Sequence, residues 1–214
     1  MFRIQCQAIL FDMDGTLVDS THCVEAIWHR WAARHGLDPL HILAKSHGRR
    51  AADTLREIAP HLNIEQEVRE LDAEELNYTE GIRELPGAAG LLRALPAERW
   101  AVVTSATHAL AALRMQCAAL PIPALLVGAE DVVEGKPNPA GYRLAASLLQ
   151  VAPEDCLVIE DTPAGLAAGR SAGMQVLAIT TTYSADELRE PHWIRDFHQI
   201  RVVSGKDGME LHSI

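Results

Sequence analysis

Short, almost wholly apolar runs recur along this chain, and segments with helical periodicity lie between them. The runs cover residues 8–11, 100–103, 124–127, 156–159 and 175–179, and a weaker one covers residues 199–203. The helical segments fall at residues 88–95, 108–119, 139–149 and 164–172. Strands that are apolar on both faces belong in parallel sheets covered by helices on both sides. The alternation therefore predicts an α/β fold with a doubly wound, Rossmann-like parallel sheet.

One long stretch interrupts this alternation. Between the first apolar run and Pro86 lie about seventy residues with three or four helical periods and no convincing strand. An inserted, all-helical subdomain is the simplest explanation of such a stretch. We therefore predict a helical cap at residues 19–85, inserted into a Rossmann-like core formed by residues 1–18 and 86–214.

Capping residues and apolar spacing mark individual helices within the insertion. Ser20 or Thr21 is a suitable N-cap for a helix that ends at Gly36. Further helices fit residues 51–58 and 65–78. These segments account for most of the predicted cap.

The charge balance limits the partners of this protein. Its 214 residues include 19 basic and 29 acidic ones, which gives a formal net charge of −10. A protein that covers nucleic acid or an anionic membrane needs a basic face to neutralise phosphates. No apolar run approaches the roughly 18–20 residues that a membrane-spanning helix requires. We expect no nucleic-acid or membrane partner, and a monomer or weak homodimer.

The cysteines bear on the cellular compartment. They are scattered and form no C-x-x-C pair, at positions Cys6, Cys23, Cys117 and Cys156. The first residues lack the charged and apolar regions of a secretion signal. Since this usage fits a reducing environment, we predict a cytoplasmic location.

Two carboxylates stand directly after the first apolar run, because Asp12 and Asp14 lie in the sequence Asp-Met-Asp-Gly. Open α/β sheets bind ligands at the carboxyl ends of their strands. Carboxylates this close repel each other, so they should share a proton or hold a cation. Gly15 allows a sharp turn after them. Taken alone, this motif also fits an acidic surface turn.

Three further polar groups follow other predicted strands and favour a shared site. They are the hydroxyl pair Thr104-Ser105, the single cation Lys136 and the acidic pair Glu160-Asp161. Carboxylates at two strand ends suit Mg²⁺, which prefers hard oxygen ligands. A lysine and hydroxyls beside them suit a phosphate group.

At these residues the sequence resembles the haloacid dehalogenase superfamily over essentially its whole length. The ordered motifs of that superfamily are D-x-D-G-T, a hydrophobic strand ending in Thr or Ser, a lysine and an acidic pair. The resemblance implies that Asp12 is the nucleophile that attacks phosphorus and that Asp14 is the general acid and base. Thr104 and Ser105 would bind the phosphoryl oxygens, and Lys136 would neutralise charge on the nucleophile and the phosphate.

The resemblance also implies a metal site. Mg²⁺ would be held by Asp12, Glu160 and Asp161 together with the backbone carbonyl of Asp14. A carboxylate that attacks phosphorus forms an acyl phosphate and so divides one difficult displacement into two steps. The metal would stabilise the charge that develops.

Further residues narrow the subtype that the chain resembles. Asp14 argues against carbon–halogen chemistry, since dehalogenases of the superfamily lack this second aspartate. A helical insertion directly after the first motif is typical of the subtype whose cap selects the substrate. The segment around His47, Gly48 and Arg49 is similar to that of sugar-phosphate and polyol-phosphate phosphatases, including hydrolases of glycerol phosphate and 2-deoxyglucose 6-phosphate. We expect these three residues to face the substrate.

The sequence thus predicts a Mg²⁺-dependent phosphatase acting on a small sugar or polyol phosphate through an aspartyl-phosphate intermediate. A hexose-phosphate mutase of the β-phosphoglucomutase type is the alternative enzyme. Its pattern has a histidine and an arginine where this chain has Val24 and Ala51. A non-catalytic protein that binds a phosphorylated ligand is the third interpretation, although it would not need both Asp12 and Asp14. The core motifs do not rank the individual sugar phosphates.

Overall fold

The computed structural model describes residues 2–205 and 208–214. The strands of this part are β1 (Arg3–Cys6), β2 (Ala8–Phe11), β3 (Val18–Asp19), β4 (Arg83–Glu84), β5 (Trp100–Val103), β6 (Leu126–Val127), β7 (Cys156–Glu160), β8 (Gln175–Ile179), β9 (Trp193–Ile194), β10 (Ile200–Gly205) and β11 (Gly208–Ser213). Its α-helices are α1 (Thr21–His35), α2 (Pro39–Ser46), α3 (Ala51–Ile58), α4 (Ile64–Asn77), α5 (Ala88–Ala94), α6 (His108–Cys117), α7 (Ala140–Leu149), α8 (Pro163–Ser171) and α9 (Ala185–Leu188). None of these helices is long and apolar enough to cross a bilayer.

A six-stranded sheet forms the centre of the molecule, with the strand order β6-β5-β2-β7-β8-β9. All neighbouring pairs in it are parallel. Strands β2, β5 and β7 are buried at every position, as their near-continuous apolar sequences predict. The predicted α/β doubly wound fold is therefore confirmed. Because β2 lies between β5 and β7, their carboxyl ends meet at one edge of the sheet.

The weak apolar run at residues 199–203 does not join this parallel sheet. It forms β10, which pairs antiparallel with β11, and β11 in turn pairs antiparallel with β1. Exposed and buried residues alternate along β1, which is typical of an antiparallel sheet with one solvated face. The sixth strand of the parallel sheet is β9 instead.

The segment between β3 and β4 is helical, as predicted. Its four helices enclose an apolar cluster of their own, built around Ile27, Trp31, Leu55 and Leu71. Sequence analysis did not place α2, although Asp38 caps it by accepting a hydrogen bond from the Leu40 N–H at 3.0 Å. The short ladder between β3 and β4 joins the two ends of the segment. The exact cap boundaries at residues 19 and 85 stay a prediction.

Truncating the cluster inside these helices should destabilise them. Leu71 on α4 is fully buried, whereas Leu76 on the same helix is 39% exposed. We expect Leu71→Ala to lower the free energy of unfolding by about 2–5 kcal/mol, because it leaves a cavity. Leu76→Ala, the matched control, should cost well under half of that. Urea titration followed by circular dichroism measures both values, and equal losses would contradict this packing.

Candidate active site

A buried ammonium group connects three strand ends at the carboxyl edge of the sheet. The Lys136 Nζ donates hydrogen bonds to Asp12 Oδ1, to Glu160 Oε1 at 2.7 Å and to the Val103 carbonyl at 3.0 Å. Asp12 follows β2, while Val103 and Glu160 end β5 and β7. Lys136 is only 6% exposed and comes from the loop before α7. The structure thus brings together motifs that are more than one hundred residues apart.

Burial and the neighbouring groups of opposite charge act in opposite directions on the pKa values of Asp12 and Lys136. Burial raises the pKa of Asp12 to about 7, although the charge and hydrogen bond of Lys136 act in the opposite direction. Burial also disfavours the charge on Lys136, but Asp12 and Glu160 outweigh it, and the pKa of the lysine is raised. Lys136 therefore stays protonated at neutral pH despite its burial.

The oxygens of Glu160 are fully engaged by protein donors. Oε1 accepts from Lys136 and from the Tyr142 hydroxyl at 3.1 Å. Oε2 accepts from the Asp161 N–H and from both the N–H and the hydroxyl of Thr162. A carboxylate offers about four lone-pair positions, and five donors occupy them. Glu160 thus acts as an anchor for Lys136 and for the start of α8.

Asp12 and Asp161 keep more of their capacity to bind a ligand. Asp12 Oδ2 accepts no hydrogen bond from any described residue, and the Asp161 oxygens accept only from the hydroxyls of Thr16 and Thr182. Both carboxylates line one cavity, which lies between the sheet edge and the helical segment. They are the free acceptors of the acidic cluster.

The donor set of this cluster fits a divalent cation. Ligand atoms of Asp12, Glu160 and Asp161 lie within 4.8 Å of one another. Burial, followed by the negative charges of Glu160 and Asp12, raises the pKa of Asp161 well above its usual value. Three carboxylates with one ammonium leave excess negative charge, which Mg²⁺ would balance. Gly15, at φ +82°, has no room for a side chain because a Cβ there would overlap the Asp161 carboxylate.

The Asp14 carboxylate has two partners of its own, and neither of them is Lys136. Its carboxylate accepts hydrogen bonds from the Ser20 hydroxyl at 2.6 Å and from Arg114 Nη1 at 2.8 Å. Ser20 stands at the N-cap position of α1 but makes no side-chain capping bond, because its hydroxyl serves Asp14. The predicted N-cap position of Ser20 is confirmed, although its side chain does not cap the helix.

Sequence analysis also missed Arg114, which is 3% exposed on α6. It contacts Glu75 of α4 at 3.4 Å as well as Asp14, and so joins the core to the helical segment. Leu110, Ala111 and Met115 form the buried face of α6 around it. An arginine within an apolar stripe was the signal that could have identified this residue.

Thr104 and Ser105, which are predicted to bind phosphate, make different contacts. The Thr104 oxygen accepts from the Ala106 N–H at 3.1 Å, so its hydroxyl proton remains available at the cavity. Ser105 instead donates to the Gly48 carbonyl at 2.9 Å, which ties the helical segment to the core. Gly48 has φ +73°, and a Cβ there would overlap the Thr162 side chain. This close approach requires glycine.

The other predicted substrate contacts line the same cavity. The His47 ring packs edge-on against Tyr183, with ring centroids 6.3 Å apart, and burial lowers its pKa. The Arg49 guanidinium donates to Glu57 at 2.7 Å. The cavity has a volume of about 410 Å³, which is enough for a small phosphorylated metabolite.

Comparison with known proteins gives the family. A model of the haloacid dehalogenase-like hydrolases matches residues 6–173, and the chain belongs to this family. It is 41% identical to hexitol phosphatase A of Escherichia coli over 96% of this chain and 98% of the relative. The predicted resemblance and the prediction that the chain is an enzyme, a hydrolase, are confirmed.

Two yeast enzymes extend this comparison. Glycerol-1-phosphate phosphohydrolase 2 of Saccharomyces cerevisiae is 35% identical over 87% of this chain and 80% of its own length. 2-Deoxyglucose-6-phosphate phosphatase 2 of the same yeast is 30% identical over 92% and 91%. Among solved structures, a hydrolase from Pseudomonas syringae superposes with a TM-score of 0.79 and 23% identity, covering 89% of this chain and 94% of that one. This structural likeness shows the fold.

The charges of the acidic cluster should lower the thermal stability of the metal-free protein. Two unit charges about 5 Å apart repel by about 3 kcal/mol at an effective dielectric constant of about 20. Asp161→Asn removes one charge, so we expect its metal-free form to melt several degrees higher than the wild type. Since the pKa of Asp161 is raised in the folded state, ionisation costs stability as the pH rises above the ordinary carboxyl range.

The gain in Tm should therefore be larger at about pH 8 than at about pH 5, by differential scanning fluorimetry in EDTA. Added Mg²⁺ should raise the Tm of the wild type more than that of the variant. Asp155→Asn, which changes an exposed aspartate, is the matched control. A lower Tm for Asp161→Asn, or a gain that does not depend on pH, would refute the proposed charge excess.

Proposed function

We propose that the protein is a Mg²⁺-dependent phosphatase that hydrolyses a small sugar or polyol phosphate through an aspartyl-phosphate intermediate and releases inorganic phosphate. One observation carries the proposal: Lys136 holds one oxygen of Asp12, a residue that lines the cavity, while the other oxygen accepts no hydrogen bond from any described residue. The four free cysteines agree with the proposed cytoplasmic location.

In the first step, Asp12 Oδ2 attacks the phosphorus atom of the bound ester. A bond forms between this oxygen and phosphorus while the bond from phosphorus to the sugar oxygen breaks. Asp14 supplies the proton that the leaving oxygen requires. Both Asp14 oxygens accept hydrogen bonds in this structure, so one of its partners must give way to the substrate.

In the second step, Asp14 removes a proton from a water molecule, and the water oxygen attacks the phosphorus atom of the aspartyl phosphate. The bond between phosphorus and Asp12 breaks, which releases phosphate and restores the carboxylate. Lys136 reduces the repulsion between the nucleophile and the phosphate throughout. Thr104 can donate its free hydroxyl proton to a phosphoryl oxygen.

The metal proposal uses the same cluster. Asp12, Asp161 and the backbone carbonyl of Asp14 would hold Mg²⁺, with Glu160 positioning Lys136 beside them. When bound, the cation would supply charge neutralisation for the phosphoryl oxygens. Protein donors already occupy the oxygens of Glu160. Among the predicted metal ligands, we therefore assign metal binding to Asp12 and Asp161 and the positioning of Lys136 to Glu160.

The names of the relatives support the substrate class. Hexitol, glycerol-phosphate and 2-deoxyglucose-phosphate phosphatases share extended similarity with this chain. The mutase alternative is disfavoured because apolar Val24 and Ala51 line the cavity where that pattern has a histidine and an arginine. A purely binding protein is disfavoured because it would not need both Asp12 and Asp14 beside Lys136.

The proposed function is tested by phosphate release from a panel of sugar and polyol phosphates, with no bisphosphate activator present. We expect release with Mg²⁺, loss in EDTA, and recovery when Mg²⁺ but not Ca²⁺ is added back. Asp12→Asn should lose at least about a thousandfold in kcat because an amide cannot form the acyl phosphate. Asp155→Asn is the control, and mass spectrometry must exclude deamidation. Full activity in EDTA or in Asp12→Asn would overturn the proposal.

Asp14 should differ from Asp12 in its dependence on the leaving group. We expect Asp14→Asn to lose about a hundredfold or more in kcat/KM on a sugar phosphate, whose alkoxide needs a proton. The loss should be much smaller on p-nitrophenyl phosphate, whose leaving group needs little protonation. Asp19→Asn, which alters a nearby aspartate paired with Arg83, is the control. Equal losses on both esters would remove Asp14 from the general-acid role.

A further inference from the structure

Helix α4 presents two carboxylates to the cavity that also contains Asp12. Asp72 and Glu75 are three residues apart, so they lie on one face of the helix. Arg114 of α6 lines the same cavity and contacts Glu75. We propose that the cavity contains a substrate-binding subsite formed by Asp72, Glu75 and Arg114. This subsite binds the hydroxyl groups on the uncharged sugar or polyol part of the substrate. It rejects esters that carry a second anionic group. This inference rests on the proposed function.

Arg114 gives the observation that points to a ligand. Two of its nitrogens contact Asp14 and Glu75, but its buried Nε has no hydrogen-bond partner among the described residues. A buried donor without an acceptor is costly, whether the missing acceptor is water or a ligand oxygen. Because this nitrogen is itself buried, a substrate hydroxyl would become its acceptor only when the Arg114 side chain shifts on binding.

The two carboxylates provide complementary acceptors. Asp72 is half-buried and makes no hydrogen bond or ion pair with any residue that the structure describes. Glu75 has a side chain that is 17% exposed, and its contact with Arg114 is a long 3.4 Å. Each hydroxyl of a polyol both donates and accepts, so neighbouring hydroxyls match an arrangement of carboxylates and a guanidinium.

The charge of the cavity wall decides which substrates are rejected. Three other arginines line the cavity, but Arg49 is paired with Glu57, and Arg50 and Arg56 are both paired with Asp53. The charge of Arg114 is matched by Asp14 and Glu75.

Arg114 is the cation that acts on Asp72, but it already pairs with both Asp14 and Glu75, so Asp72 adds negative charge in excess around this arginine. Glu130, which also lines the cavity, acts on Asp72 with the same sign. A second phosphate or a carboxylate on the substrate would be repelled there, whereas uncharged hydroxyls would not.

A matched pair of sugars provides the test, because fructose 6-phosphate and fructose 1,6-bisphosphate differ only in the second phosphate. With Mg²⁺, we expect the wild type to show kcat/KM at least about tenfold higher for fructose 6-phosphate. p-Nitrophenyl phosphate, which has no hydroxyls to bind, reports on the chemistry common to all esters.

Asp72→Asn and Glu75→Gln keep the shapes of the side chains and remove their charges. Each should lower kcat/KM for fructose 6-phosphate about tenfold, chiefly through KM, and by at least about fivefold more than for p-nitrophenyl phosphate. Each variant should also lower the ratio of kcat/KM for fructose 6-phosphate to kcat/KM for fructose 1,6-bisphosphate by about threefold or more. Glu70→Gln, which neutralises an exposed carboxylate on the same helix, should change neither ratio. Unchanged Tm values would show that the variants are folded.

The outcomes separate this inference from the function on which it rests. If the wild type hydrolyses p-nitrophenyl phosphate but does not discriminate between the two fructose esters, the subsite is refuted and the phosphatase proposal stands. If Asp72→Asn loses kcat/KM equally on all three esters, the subsite is also refuted and the phosphatase proposal stands. If the wild type releases phosphate from none of them, the proposed function fails and this inference fails with it.

Discussion

The ammonium group of Lys136 is the interaction on which the rest of the site depends. It joins Asp12, Val103 and Glu160, which lie at the ends of three adjacent strands. A charge this deeply buried is stable only with matched and fully hydrogen-bonded partners, and Glu160 supplies that match through its network with Tyr142 and Thr162. Removal of Lys136 or of Glu160 would leave the charge of the other group uncompensated at the edge of the sheet. The contact with Lys136 thus positions Asp12, the proposed nucleophile, and also supplies its counterion.

Sequence periodicity is sufficient for the central strands of the parallel sheet, because β2, β5 and β7 are buried on both faces and therefore apolar throughout. The same reasoning places the polar groups that follow them, since parallel strands end at one edge. It fails for the run at residues 199–203, where pairing with β11 depends on residues at both ends of the chain. Periodicity assigns a strand but not its neighbour.

The contacts that sequence analysis missed are those that no motif encodes. Ser20 stands at a helix N-cap, yet its hydroxyl donates to Asp14, six residues earlier in the chain. Arg114 and Glu75 meet only because α4 packs against α6. Such contacts join the helical segment to the core, as does the hydrogen bond from Ser105 to Gly48. The core therefore holds the groups proposed for phosphoryl transfer, while the segment above it shapes the remainder of the cavity.

The proposed function depends on covalent phosphorylation of Asp12, which rapid acid quench followed by mass spectrometry detects. The enzyme would be mixed with a sugar phosphate and Mg²⁺, quenched during turnover and digested. We expect a mass gain of one phosphoryl group on the peptide that contains Asp12. This gain should disappear after hydroxylamine treatment, which cleaves acyl phosphates. Sustained turnover with no adduct at any quench time, or an adduct on another residue, would contradict the account.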